Sequence, residues 1–79
     1  MTPEQCRAAR ALLDWSQEDL AERSGVAART VRYFEKDMRE PIPANLAALQ
    51  SALERAGVIF IAENGGGPGL RLKKRKPKR

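Results

Sequence analysis

The sequence contains no histidine and a single cysteine. Cys6 has no second thiol with which to form an internal disulfide. Without histidine or another cysteine it cannot assemble a zinc site either. No apolar run reaches the ~18 residues a membrane-spanning helix needs, and the N-terminal residues lack the basic-then-apolar order of a secretory signal. These absences point to a reducing, cytoplasmic setting with no membrane association. No acid–base pair, metal cluster or nucleophile–base spacing is visible, so neither enzymatic activity nor a cofactor is expected. A chain of 79 residues fits one domain with one small core. Such a core is held by well-formed helices, by pairing with a second copy, or by both.

Charge is present, and it is uneven. The 15 basic and 10 acidic residues give a net +5. Seven of the basic residues fall in residues 70–79 (Arg71, Lys73, Lys74, Arg75, Lys76, Lys78 and Arg79), where there is no acid. Residues 1–69 hold the other eight against all ten acids, a net of −2. Within that body, Arg23, Arg29, Arg32, Lys36 and Arg39 face only Glu35 and Asp37 over residues 23–39, a local net of +3. The chain therefore has two basic features, one mid-chain and one terminal, and either suits phosphate.

Local signals predict four helices and a hairpin. Thr2-Pro3-Glu4-Gln5 reads as a cap, a first-turn proline and the far half of a capping box. Cys6, Ala9 and Leu13 follow at helical spacing, and the helix ends near Asp14. Ser16 caps a second helix, with Asp19 where Glu or Gln would complete the box. Gly25 stops it at a left-handed position. A third helix is predicted from about Ala28 to Lys36, with Val31 and Phe34 inward and no cap residue at Ala27. Residues 37–43 form a loop. A fourth helix runs from about Ala44 to Ala56, with Leu46, Leu49 and Leu53 inward and Gly57 beyond its end. Val58-Ile59-Phe60-Ile61 and the alternating Leu70-Arg71-Leu72-Lys73 flank turn-rich Asn64–Gly69 and read as a hairpin over residues 58–73. Residues 74–79 read as a solvated, disordered basic tail. Cys6 reads as a small buried hydrophobe and Trp15 as core.

Counting from Gln17, a small Ala21 stands fifth, Gly25 ninth, Val31 fifteenth and Phe34 eighteenth. Ala21 lets two helices cross, Gly25 makes the turn, and Val31 and Phe34 pin the second helix. The run Ser16-Gln17-Glu18-Asp19-Leu20-Ala21-Glu22-Arg23-Ser24-Gly25-Val26, followed by Thr30-Val31 and Phe34-Glu35, resembles the phage-repressor and Cro type of helix-turn-helix, the XRE family with the lambda-repressor-like fold. The likeness covers roughly residues 5–57. The resemblance implies a mainly α fold: a four-helix DNA-binding domain over residues 1–57, a hairpin over 58–73 and a basic tail over 74–79.

The resemblance also implies roles for individual residues. Ala28, Arg29, Arg32 and Tyr33 would face base edges from a recognition helix in the major groove. The two arginines are suited to guanine O6 and N7, whereas Ala28 can touch only a thymine methyl. Gln17, Thr30, Lys36 and Arg39 would contact phosphates, and Arg10 and Glu35 would form a structural salt bridge between the first and third helices. The function implied is a sequence-specific double-stranded DNA-binding transcriptional regulator, a repressor or autoregulatory controller, acting as a homodimer on a two-fold operator in the bacterial cytoplasm. Ile59, Phe60, Ile61, Leu70 and Leu72 are the candidate dimer contacts, because an isolated two-stranded hairpin is marginal in water; the fourth helix is the other candidate. Two alternatives remain at this point. One is an antitoxin or antiactivator module that binds a protein partner and binds DNA only secondarily. The other is nonspecific nucleic-acid binding led by the tail.

Overall fold

The computed structural model describes residues 1–62 and 65–72. Its elements are α1 (Pro3–Leu13), α2 (Gln17–Ser24), α3 (Ala28–Glu35), α4 (Pro43–Arg55), β1 (Val58–Ile61) and β2 (Gly69–Leu72). The four expected helices are present and mainly helical architecture holds. The predicted tail over 74–79 and Lys73, the last hairpin residue, lie outside the described residues. None of the described helices is long and apolar enough to cross a membrane.

Helix boundaries follow from side-chain chemistry at the ends. Thr2 Oγ1 accepts from the Gln5 amide while Gln5 Oε1 accepts from the Thr2 amide, each at 3.0 Å. Ser16 and Asp19 close the same reciprocal box at 2.9 Å in both directions. The shorter Asp side chain therefore completes the second box as fully as Gln completes the first. Each cap is worth about 0.5–2 kcal/mol of stability. α1 ends on Asp14, which adopts a left-handed φ of 59°, a conformation that Asp tolerates better than most residues. Between α2 and α3, Gly25 takes a φ of 78°, where any Cβ would be strained. Ala27 gives α3 no side-chain cap, as its identity predicts. α4 begins one residue earlier than expected, with Pro43 rather than Ala44 in its first turn. Proline has no amide hydrogen to leave unsatisfied there.

The core joins all four helices to the hairpin. Cys6 and Ala9 of α1, Leu20 of α2, Val31 and Phe34 of α3, Leu49, Ala52 and Leu53 of α4, and Val58 of β1 are buried together with Val26. Leu46 and Trp15, both expected inside, pack against its margin and are half-buried. Trp15 instead carries the Arg23 guanidinium 4.7 Å above its ring, a favourable placement for a cation over an aromatic face.

β1 and β2 are antiparallel, with Val58 opposite Leu72, Ile59 opposite Arg71, Phe60 opposite Leu70 and Ile61 opposite Gly69. Alternation along each strand divides the sheet into two faces. Val58, Phe60, Leu70 and Leu72 share the face that packs on the core. Ile59, Ile61 and Arg71 share the other. Gln5 Nε2 also donates to the Gly69 carbonyl at 3.0 Å. One amide thus caps α1 and ties β2 to it, across 64 positions of sequence.

Candidate nucleic-acid interface

α3 presents its faces in the order set by 3.6 residues per turn. Val31, Phe34 and Glu35 are buried. Opposite them stand Arg29, which is exposed, and Tyr33, which is 37% exposed. Arg32 and Ala28 occupy the flank nearer Glu35; Arg32 is exposed and Ala28 half-buried. Thr30, half-buried, lies on the other flank, and Lys36 and Arg39 are exposed just beyond the helix. None of Arg29, Arg32, Lys36 or Arg39 is held by a carboxylate among the described residues, where the ion pair found is Arg10 with Glu35. Their charges are therefore free to meet an anion without first breaking a pair.

Four of the eight expected DNA contacts meet in one place. Arg29, Thr30, Tyr33 and Arg39 line a surface groove of about 240 Å³ together with Ala27 and Pro41. Pro41 is buried, which fixes the loop that carries Arg39 beside α3. Ala27 and Pro41 carry no chemistry that marks them in the sequence; they belong to the site through shape alone. Two cations, a hydroxyl and a phenol on one concave surface suit the sugar-phosphate backbone and the base edges beside it.

The support beneath this face is a single carboxylate, Glu35, whose side chain is 2% exposed. Arg10 grips it with both arms of its guanidinium, Nε to Oε2 and Nη2 to Oε1, each at 2.7 Å. The expected salt bridge is therefore present as a bidentate pair. Two further donors, which no sequence signal marks, complete the arrangement. Cys6 Sγ donates to Oε2 at 3.1 Å and Gln17 Nε2 to Oε1 at 3.0 Å. Arg7 Nη1 donates to the Glu35 carbonyl, and Arg10 Nη1 to that of Trp15 at 3.0 Å. Glu35 thereby joins α1, the start of α2 and the end of α3. Gln17, expected as a phosphate contact, is half-buried with its amide on Glu35; one N–H and its carbonyl oxygen remain for other partners.

The electrostatics follow from these contacts. Burial on its own would push the Glu35 carboxyl up, but hydrogen bonds from Arg10, Cys6 and Gln17 outweigh it and hold the group below the usual carboxylate range. The same carboxylate raises Arg10 further. Burial, then the hydrogen bond to Glu35, drives the Cys6 thiol well above its ordinary value. Cys6 is thus buried as expected, but it is a hydrogen-bond donor as well as a small hydrophobe. The thiolate is the reactive form, and this thiol stays protonated at neutral pH. Alkylation by iodoacetamide at pH 8 is expected only as fast as the domain opens, with rapid labelling in denaturant. Labelling of the native chain at the rate of an unfolded control would contradict this environment.

The hairpin residues expected at a dimer contact divide between the two faces. Phe60, Leu70 and Leu72 pack on the chain's own core. Ile59 is half-buried and Ile61 exposed on the outer face. A helix-turn-helix family model matches residues 7–56, from within α1 to the residue after α4. No curated protein matches the chain.

Proposed function

Since the chain belongs to the XRE, lambda-repressor-like family of DNA-binding helix-turn-helix domains, we propose that it is a sequence-specific transcriptional regulator that binds a two-fold operator as a homodimer and acts by occupancy. The observation that carries this reading is the pair of exposed arginines, Arg29 and Arg32, held by no carboxylate among the described residues, on a helix locked at its far side by Glu35. α3 enters the major groove. Arg29 and Arg32 read guanines, and Tyr33 and Ala28 meet neighbouring bases. Thr30, Lys36 and Arg39 hold phosphates, and Gln17 offers its remaining amide hydrogen to another. One such helix reads only a few base pairs, so two copies on related half-sites supply the selectivity. Repression or autoregulation in the bacterial cytoplasm requires no catalytic group and no cofactor.

The basic residues at positions 74–79 add sequence-independent attraction. Their removal separates the two kinds of binding. A chain ending at Lys73 should bind more weakly, with a salt dependence shallower by about 0.9 for each phosphate no longer neutralised, and should keep its preference for operator over random duplex. Loss of that preference on truncation would shift recognition from α3 to the tail. Competition binding at several salt concentrations provides the measurement.

A further inference from the structure

We infer that the cleft between the C-terminal ends of α2 and α4 is a docking site for an acidic segment of a partner protein, separate from the DNA-binding face. Trp15, Arg23, Ala52, Arg55 and Ala56 line this cleft, whose volume is about 130 Å³. Arg23 and Arg55 are both exposed, and neither is paired with a carboxylate among the described residues. The acids nearest to them in sequence are engaged elsewhere or turned away. Asp19, one turn before Arg23, closes the Ser16 capping box. Glu22 precedes Arg23 but is turned about 100° from it around α2. Glu54, beside Arg55, accepts from the Gln50 side-chain amide at 3.1 Å. Each guanidinium is also held in place. That of Arg23 lies 4.7 Å from the centre of the Trp15 ring, and Arg55 Nη2 donates to the Arg23 carbonyl at 3.5 Å. Among the described residues no acceptor oxygen takes a hydrogen bond from the Arg23 side chain.

Charge complementarity selects the occupant. Two guanidiniums with free donors suit carboxylates, which they bind through paired hydrogen bonds, and arginine clusters read acidic motifs in this way. The last turn of a helix favours a cation, which accounts for one arginine at the end of α2 and one at the end of α4. It does not account for their convergence on one cleft with an aromatic wall. The half-buried Trp15 ring and the Ala52 and Ala56 side chains add an apolar lining, which suits an aliphatic side chain next to the acid. Small-molecule pockets run to about 300–1,000 Å³; this smaller cleft takes a side chain of a peptide. DNA phosphates are the other anions at hand. The groove that carries Arg29, Thr30, Tyr33 and Arg39 shares no residue with the cleft, and α4 separates the two. Pro43, its first residue, closely follows Pro41 of that groove, and Arg55, its last, stands about 18 Å further along the axis. A duplex held by α3 therefore leaves the cleft free.

Trp15 is the sole tryptophan, so fluorescence of the full-length chain reports on the cleft directly. The probes are a synthetic peptide that alternates Asp, Leu and Glu, and its Asn, Leu and Gln counterpart. The acidic peptide should change Trp15 emission saturably, with and without operator duplex, and the neutral peptide should not. Arg55→Gln leaves Trp15 and the basic residues 74–79 in place. It should weaken acidic-peptide binding roughly tenfold, the loss of one charged hydrogen bond, and Arg23→Gln should do the same. Both variants should keep their helical circular dichroism and their operator affinity. Unchanged emission at millimolar acidic peptide, or equal binding by wild type and both variants, would overturn the inference. So would a loss of operator affinity in Arg55→Gln, or a response of Trp15 to duplex DNA that this variant abolishes, because the cleft would then hold phosphate.

Discussion

Arg29→Ala is expected to lower operator affinity by about 1–3 kcal/mol, roughly 5- to 150-fold, and to relax preference at one base pair of each half-site. The expectation rests on position. Arg29 stands opposite the buried face of α3, on the wall of the groove shared with Tyr33 and Arg39, and no carboxylate among the described residues competes for it. An arginine that held only a phosphate would, on removal, weaken binding to every sequence equally. Measuring the variant against operator and against single-base mismatches separates the two, because only a base-reading arginine gives a loss concentrated at one position. The side chain is exposed and takes no part in the core, so helical content and melting temperature should be unchanged. An unaltered mismatch profile would remove Arg29 from readout.

Glu35→Ala should have the largest effect on stability. It leaves the Arg10 guanidinium, the Cys6 thiol and the Gln17 amide without the carboxylate that all three bond. Breaking a buried pair from one side costs about 3–5 kcal/mol, and each kcal/mol moves the midpoint of a domain this size by about 4–8 °C. The melting temperature should therefore fall by well over ten degrees. The same carboxylate gives the wild-type domain an acid limit. Its folded-state value lies below its unfolded one, so its stabilisation is complete above the ordinary Glu value of about 4.3. That stabilisation disappears as pH falls from there through the lower folded value. Thermal melts from pH 7 to pH 2 should show a steeper acid loss in wild type than in Glu35→Ala. Parallel pH curves for the two proteins would mean that the ion pair contributes little despite its geometry.

Much of this organisation is legible in the residues because it is local. Caps at Thr2 and Ser16, the stop at Gly25 and the inward Val31 and Phe34 are each set within a few positions, and each appears in the structure. The Arg10–Glu35 pair comes from family likeness, since nothing in a spacing of 25 positions announces it. Its additional donors are hidden for a different reason. Cys6 and Gln17 each have an adequate local role, as core residue and helix start, and only the crossing of α1, α2 and α3 brings them to one carboxylate. Gln5 conceals a second bond in the same way, its cap being local and its bond to Gly69 remote. The hairpin is legible as an element but not by face. Val58–Ile61 is apolar throughout, so no alternation tells inward from outward. The register against Leu70 and Leu72 supplies that distinction.

Readout of base edges by the arginines of α3 is tested most directly by in vitro selection from a randomised duplex pool with the intact chain. The expected result is enrichment of two related half-sites in inverted orientation, each containing guanines, and disappearance of one guanine from the motif when the selection is repeated with Arg29→Ala. A pool that remains random after repeated rounds, or one whose enriched motif is identical for the wild type and for chains lacking Arg29 and Arg32, would contradict it.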